Sequence, residues 1–352
     1  MNREKVVVGL SGGVDSSVCA YLLKQQGYEV LGVTMDLWPS ENGSKAIEDA
    51  KRVSEKLGIP HYVLNFKEEF KEKVVDHFIE RYFLGLTPNP CVVCNRYIKG
   101  EALLQKAHEL GASRIATGHY AKVEKHPLTG RYAIRNSVTA QKDQTYALYR
   151  LTQEQLKAML LPIGEYTKNE VREIAHQIDG FIAQKGDSQD ICFIPDGEYA
   201  SFIVNQSGKN GEMGDFVDLE GSILGKHKGI IHYTVGQRKG LGIAFGKPMY
   251  VYNVDPKRNQ VVLCANEALF QKKLYAGQLA NMAVEKFEDG MRLQAKIRYG
   301  NKMAWCTIKM IDEDRLECIF DEAQRAITPG QSLVLYDGEY VAGGGIILPH
   351  HS

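Results

Sequence analysis

The 352-residue chain has no apolar run approaching the roughly 20 residues needed to span a bilayer. Nor has it an excess of either charge. Lys plus Arg is 43 and Asp plus Glu is 43, so there is no global electrostatic preference for nucleic acid, although a local basic stripe can bind phosphates on a neutral protein. Internal repeats and low-complexity tracts are missing, which excludes a collagen-like architecture. With 44% hydrophobic and 24% charged residues, the composition is that of a folded globular protein and neither a disordered chain nor a long coiled coil. Met1-Asn2-Arg3-Glu4-Lys5 runs straight into a strand-like Val6-Val7-Val8, with no signal-peptide apolar region and no Arg/Ser-rich transit segment, so the expected location is the cytoplasm. The seven cysteines are an odd number, and in a reducing cytosol no structural disulfide framework is expected. Each cysteine is therefore read as a core residue, a metal ligand or a nucleophile.

What is present divides the chain. At about 150 residues per domain the length suggests two to three domains. Strand and helix signals alternate over the first ~120 residues, which implies a parallel sheet with helices on both faces and ligands beyond the carboxyl ends of its strands. The spacing predicts strands at Val6–Leu10, Glu29–Leu37, His61–Phe66 and Arg114–Thr117. It predicts helices at Ser16–Gln26, Ser44–Leu57 with Ser44 as N-cap, Glu68–Phe83 and Glu101–Leu110. A hairpin is expected between Ala121–Glu124 and Tyr132–Arg135, and Thr167-Lys168-Asn169-Glu170 reads as a capping box. From about residue 205 Gly-punctuated β-like runs take over, Gly229–Thr234 among them, which suggests small β domains or barrels. The expected division is 1–204, 205–272 and 273–352.

The strongest local signal is Gly9-Leu10-Ser11-Gly12-Gly13-Val14-Asp15-Ser16-Ser17, between the first strand and the first helix. Gly12 and Gly13 have no Cβ, so backbone N–H groups can approach an anion closely, and the helix N-terminus adds its positive dipole end. Ser11, Ser16 and Ser17 add hydroxyls. No Gly-Lys-Ser/Thr follows, so this is not a Walker loop. The bland alternative is an ordinary Gly-rich strand-to-helix turn. The stretch resembles the pyrophosphatase-loop signature of the ATP α-hydrolase superfamily, in which a substrate oxygen attacks the α-phosphate and pyrophosphate leaves. That resemblance implies ATP and Mg²⁺ and a Rossmann-like, HUP-type fold, with Gly9 to Ser16 on the nucleotide, but no particular substrate.

Two cysteine segments follow. In Thr87-Pro88-Asn89-Pro90-Cys91-Val92-Val93-Cys94-Asn95 the prolines and Asn predict a non-helical loop with few conformations. Thiols three positions apart suit a redox pair, a shared metal, a nucleophile with a neighbour, or simply two buried small residues. No second Cys-x-x-Cys and no His pair at zinc spacing exists, which argues against a closed zinc site. In Lys185-Gly186-Asp187-Ser188-Gln189-Asp190-Ile191-Cys192-Phe193, Lys185 is a candidate to lower a nearby thiol pKa from about 8.5.

Together these segments resemble one family, the tRNA-specific 2-thiouridylases. The match continues through Ala116-Thr117-Gly118-His119-Tyr120-Ala121, Lys142-Asp143-Gln144-Thr145-Tyr146, His232–Gly240 and Thr328–Ser332, nearly the whole chain. The resemblance implies that ATP adenylates the C2 oxygen of a wobble uridine, that Cys192 carries a persulfide, and that Cys94 is the other catalytic cysteine, releasing sulfur through a Cys94–Cys192 disulfide. It further implies adenine contacts at Met35, nucleotide proximity at Gly118, and tRNA contacts at Asn89, Pro90, Cys91, His119, Lys142, Asp143, Gln144, Arg298, Tyr299 and Gln331. The expected partners are lysine, glutamate and glutamine tRNAs and a cysteine desulfurase or sulfur-relay protein. Family members often carry Asp where this chain has Cys91, so a base at that position is not expected to be essential. Cys91, Cys94 and Cys192 then become a candidate three-thiolate set for a [4Fe–4S] cluster.

Between Glu220 and Asp255 there is no acidic residue, while Lys226, Lys228, Arg238, Lys239 and Lys247 alternate with Tyr233, Phe245, Tyr250 and Tyr252. Basic side chains neutralise phosphates and aromatics stack on exposed bases, so this stretch is the expected RNA surface. The architecture expected is an α/β ATP-binding domain, a small central β-rich domain and a C-terminal β-barrel, performing ATP-dependent tRNA uridine 2-sulfur transfer. The rivals are another pyrophosphatase-loop ligase or synthetase acting on a small metabolite, and a non-catalytic RNA-binding or iron–sulfur protein.

Overall fold

The computed structural model describes residues 3–39, 41–186, 191–194, 197–243 and 246–349. The chain opens with β1 (Lys5–Gly9), α1 (Val14–Gln25), β2 (Glu29–Asp36), α2 (Glu41–Leu57) and β3 (His61–Asn65). A helical run follows: α3 (Lys67–Phe70), wider π-helical turns over Lys71–Asp76, and α4 (His77–Phe83). Next come α5 (Pro90–Cys94), a second π-helical stretch at Asn95–Ala102, α6 (Leu103–Glu109), β4 (Arg114–Ala116) and the hairpin β5 (Lys122–Lys125) and β6 (Tyr132–Arg135). α7 (Gln153–Ala158), β7 (Met159–Leu160), α8 (Lys168–Ile178), α9 (Gly180–Ala183) and α10 (Tyr199–Ser207) complete this part.

The first sheet is parallel in the order β3-β2-β1-β4-β7. Its centre is β1, whose Val6, Val7 and Val8 are fully buried. Val7 packs on α6 through Leu103, Leu104 and Ala107, while Val6 and Val8 pack on the other face against Val18 of α1, Val53 of α2 and Val171 of α8. Helices therefore cover both faces, and each buried valine contributes about 2 kcal/mol. Because the strands after β1 leave to opposite sides, the carboxyl end of β1 is the topological switch point.

Two β units follow. β8 (Gly214–Val217), β9 (Ile223–His227), β10 (Tyr250–Asp255) and β11 (Gln260–Cys264) form a sheet ordered β10-β11-β8-β9. β12 (Phe270–Asn281), β13 (Arg292–Lys296), β14 (Ala304–Met310), β15 (Arg315–Arg325), β16 (Ser332–Asp337) and β17 (Tyr340–Ile347) form the third. Pairing of β12 with both β15 and β17 closes these six strands into a barrel around Leu293, Ile308, Leu316, Phe320 and Leu335. The hairpin β5–β6 adds to its outside where Arg135 pairs with Tyr340.

Several local expectations change. Helix α2 starts at Glu41, so Ser44 is inside it and not its N-cap. Gly229–Thr234 is not a strand: Ile230–His232 is one tight 3₁₀ turn. The segment around Pro90 is not a loop but the start of α5. Proline lacks only an N–H that a first helical turn leaves unused, and the Asn89 side chain accepts the Cys91 N–H at 3.1 Å as the N-cap.

The barrel and the α/β part are stapled together. Tyr146 is buried and its hydroxyl donates to the Ser332 carbonyl at 2.8 Å. Gln331 donates to the Thr87 carbonyl at 2.9 Å, and the Thr87 N–H donates to the Pro329 carbonyl at 2.9 Å, so the barrel clamps the root of the first cysteine segment. Half-buried Arg298 donates to the carbonyls of Val235 at 3.2 Å and Ala326 at 2.7 Å and to the Thr328 hydroxyl. It ties the central sheet to the barrel. Hydrogen bonds from charged groups contribute about 1.5–3 kcal/mol. Arg298→Met is accordingly expected to lower the unfolding free energy by about 2–3 kcal/mol, read as an earlier urea midpoint; an unmoved midpoint would show that the staple carries nothing.

Candidate active site

The N-cap of α1 is Gly13, whose backbone is extended, and no side chain caps the helix. The leading amides of a twelve-residue helix thus lie at the switch point, the geometry that accepts a phosphate. Gly12 has φ +66°, and a Cβ there would meet Asp49 Cβ at 2.6 Å and the Ala46 carbonyl at 2.7 Å. Its glycine is required by α2 packed behind it, while at Gly13 an added Cβ meets only Ser11 Oγ at 3.4 Å. Of the three serines, Ser16 and Ser17 donate their hydroxyls back to the Gly13 carbonyl, at 3.2 and 2.7 Å, and brace the loop. Ser11 alone of the three is exposed. Glycine-lined amides with one open hydroxyl fit the phosphates of a nucleotide. Gly9 and Leu10 lead into this turn, Val14 anchors it in the core, and Met35 of β2 lies alongside, its Cε 3.6 Å from where a Gly9 Cβ would be.

Two lysines flank the loop, and the sequence assigned neither to it. Lys168, inside the Thr167–Glu170 capping box, pairs with Asp15 at 2.7 Å, and Tyr120 donates to the same carboxylate oxygen at 2.8 Å. Lys185 donates to the Gly12 carbonyl at 2.7 Å and pairs with Asp49. This corrects the expectation that Lys185 acts on a thiol: it belongs to the phosphate loop.

The group that does act on the thiols is Lys99, five residues beyond Cys94 in the π-helical stretch. Its charge favours the thiolates of Cys91, Cys94 and Cys192, although crowding by protein outweighs it and holds all three above the ordinary range, Cys94 up to about 12. Cys94 is buried, in the cluster that contains Phe70, Phe78 and Phe193. Cys91 and Cys192 are exposed. Phe193 stands edge-on to Phe70 and Phe78, both at 5.6 Å, so this aromatic knot seats Cys192 beside the helix bearing Cys94, 98 residues away in sequence. Residues 187–190 of that segment lie outside the described residues.

Both halves are joined by the four residues after β4. Gly118 lies against the start of α1, where a Cβ would be 2.6 Å from the Asp15 carbonyl carbon and 2.7 Å from Ser16 N. Tyr120 holds Asp15. Between them His119 is buried, shares a 2.7 Å hydrogen bond with Thr117 Oγ1, and places its other nitrogen 3.5 Å from Lys99 Nζ. Burial, then Lys99, depress its pKa well below the usual range, so it is neutral and accepts from the lysine. His119, an expected RNA contact, lies beside Lys99 in the structure. Lys99→Met removes the cation that lowers the thiols, so their pKa values rise further. Alkylation of Cys91 and Cys192, followed by mass spectrometry, should slow at neutral pH and its pH profile move alkaline; an unchanged profile would dissociate Lys99 from the thiols.

A family model described as a tRNA methyl transferase HUP domain matches residues 4–196, followed by a tRNA methyl transferase PRC-barrel domain at 201–265 and an aminomethyltransferase beta-barrel domain at 271–347. A tRNA-specific 2-thiouridylase MnmA of Clostridioides difficile (strain 630) is 55% identical, covering 99% of this chain and 98% of that one. One from Lachnoclostridium phytofermentans is 54% identical over 98% and 99%, and one from Acetivibrio thermocellus 51% over 99% and 100%. The chain belongs to the tRNA-specific 2-thiouridylase family.

For a member of that family the remaining expected residues are placed unevenly. Asn89 and Pro90 build the start of α5 and present Cys91. Asp143 accepts the N–H groups of Ser137 and Thr145 at 3.0 and 3.1 Å, and Gln144 exchanges two 2.9 Å bonds with Tyr120. These two shape the loop that carries half-buried Lys142. Arg298 and Gln331 are inter-domain staples, whereas Tyr299 is 47% exposed and edge-on to Tyr146. In the central domain Lys226 of β9 and the loop residues Lys228, Arg238, Lys239 and Lys247 are all exposed, Lys226 beside Asp215 at 2.7 Å. Arg238 and Lys247 line a recess of about 440 Å³ floored by Leu241 and Met249. Tyr233 is a core residue there, and Phe245 lies outside the described residues. Among the described residues no three His, Cys, Asp or Glu side chains converge as metal ligands; Cys94 is buried in the apolar core while Cys91 and Cys192 are exposed. Among the described residues no helix is long and apolar enough to cross a membrane.

Proposed function

We infer that the chain is an ATP-dependent tRNA-uridine 2-sulfurtransferase. The observation carrying this reading is the segment Thr117–Tyr120, which braces a phosphate loop at one end and the cation serving three thiols at the other. The loop from Gly9 to Ser16 holds the ATP phosphates, with Lys168 and Lys185 as flanking cations and Met35 beside the base. ATP supplies a good leaving group: adenylation of the uridine C2 oxygen turns a poor leaving oxygen into AMP. Magnesium accompanies the phosphates, keeping several waters and needing only one or two carboxylates, for which Asp15 is the nearest candidate. Cys192 is the exposed thiol that accepts persulfide sulfur from a cysteine desulfurase or relay protein. Cys94, behind it, attacks the inner sulfur and releases the outer one to the activated carbon. Tyr299 and the exposed lysines and arginine of the central domain are the RNA contacts, and the wobble uridine is extruded from the anticodon stack to reach the thiols. The proposed location is the cytoplasm, where ATP, tRNA and a reducing environment meet.

The test is nucleoside mass spectrometry on unmodified lysine, glutamate or glutamine tRNA incubated with the protein, ATP, Mg²⁺ and a desulfurase sulfur source. ATP-dependent 2-thiouridine at the wobble position is expected. No thiolation from a protein whose Cys192 is shown by intact mass to carry persulfide would reject the substrate and favour a small-metabolite ligase.

A further inference from the structure

We propose that Cys91 is a resolving thiol: after each sulfur transfer it takes over the Cys94–Cys192 disulfide and returns Cys192 as a free thiolate. The proposal rests on the sulfurtransferase reading above and deepens it.

The three thiols differ in access and in position. Cys94 is buried, whereas Cys91 and Cys192 are exposed. Cys91 and Cys94 sit three residues apart on α5, and positions i and i+3 of a helix hold their Cβ atoms about 5–6 Å apart. A disulfide needs about 3.5–4.5 Å, so closure asks for a shift of about 1–2 Å. A five-residue helix that begins with a proline can make that shift, and the Thr87 clamp keeps its root in place. Electrostatically Cys94 responds to both Cys192 and Cys91, and Cys192 responds to Cys91, so the three thiols share one neighbourhood.

The electron count leaves a reset problem. When the Cys94 thiolate attacks the inner sulfur of the Cys192 persulfide, the outer sulfur departs with the electron pair, and a Cys94–Cys192 disulfide remains. An external reductant can reach only the Cys192 sulfur. Attack there expels the Cys94 thiolate. It also caps Cys192, the thiol that must next be loaded with sulfur. Attack by Cys91 on the Cys94 sulfur avoids this capping. The Cys91–Cys94 bond forms, the Cys94–Cys192 bond breaks, and the electron pair leaves on Cys192; nothing is oxidised or reduced overall. A protein dithiol reductant then attacks exposed Cys91 and supplies the two electrons that return the pair to thiols.

Cys91→Ser tests this with a thioredoxin-type dithiol protein as the only reductant. Starting from persulfide-loaded enzyme, the variant should make its first equivalent of 2-thiouridine at the wild-type rate. Later turnovers should fall at least about tenfold, with a Cys94–Cys192 disulfide accumulating in peptide mass maps and millimolar dithiothreitol restoring turnover. Wild-type enzyme stopped without reductant should yield the Cys91–Cys94 disulfide. Undiminished multiple turnover of the variant overturns the proposal, as does loss of its first turnover, which would instead assign Cys91 to the target base or to a cluster. If the wild-type protein makes no 2-thiouridine at all, it is the sulfurtransferase reading that fails.

Discussion

In the Cys192→Ser protein, 2-thiouridine formation should fall by on the order of 10³-fold or more, as expected when a covalent nucleophile is removed. ATP-dependent release of pyrophosphate in the presence of tRNA should persist. A serine hydroxyl cannot hold a sulfane sulfur, so no sulfur is delivered to the activated carbon. The nucleotide half is untouched, because the phosphate loop is braced by Gly118, Tyr120, Lys168 and Lys185 and not by the Cys192 side chain. Cys192 is exposed, so its replacement is expected to change stability by less than about 0.5 kcal/mol. Nucleoside mass spectrometry and pyrophosphate release, measured on one sample, read the two halves separately. Thiolation at the wild-type level would remove Cys192 from the chemistry. Loss of both activities would mean that the thiol and phosphate halves are coupled more tightly than their separate supports imply.

Gly118→Val should abolish nucleotide use while leaving the protein folded. The added Cβ would lie 2.6–2.7 Å from backbone atoms of Asp15 and Ser16, where ordinary contact begins at 3.4 Å. Backbone at the first turn of a helix cannot swing aside as a side-chain tip can, so either α1 or the end of β4 must move by several tenths of an ångström. The same shift displaces the loop amides and the Asp15 carboxylate that Tyr120 and Lys168 hold. Misplacement of that order costs about 10²-fold in positioned chemistry. Pyrophosphate release against ATP concentration, with circular dichroism as the folding check, reads the effect. Gly180→Ala is the matched control, since a Cβ there meets nothing within 4 Å. Equal activity of the two variants would show that the close approach at Gly118 is not needed.

How much of this site was legible depended on the range of the interaction that makes it. The phosphate loop is a short-range object. A strand, two glycines, hydroxyls and a helix within nine residues carry their own geometry, and the loop stands where the sequence placed it. The Thr167 capping box and the Lys122–Arg135 hairpin are local in the same way. At Pro90 a local signal was misread: a proline that breaks a helix interior is well placed at a helix start, and which applies depends on the Asn89 cap. Two residues expected on RNA, Gln331 and Arg298, also serve as braces to distant partners. Gln331 meets Thr87 across 244 positions, and Arg298 reaches Val235 across 63. A sequence window holds one end of each pair and so sees only an unassigned polar side chain.

The sequence by itself determined the chemistry available to this protein. It supplied an anion-binding turn at the end of a buried valine strand, three thiols in two segments, and a basic stretch free of carboxylates. These are properties of residue type and short spacing, and they persist in any compact arrangement of the elements. Only the tertiary structure decided how those parts divide the work. It moved Lys185 from the thiols to the phosphate loop across 173 positions and brought Lys168 to Asp15 across 153. It also buried Cys94 while leaving Cys91 and Cys192 open. Burial and charge proximity set thiol reactivity, and both are sums over neighbours that come together only when the parallel sheet, the aromatic knot and the barrel close around the same few residues.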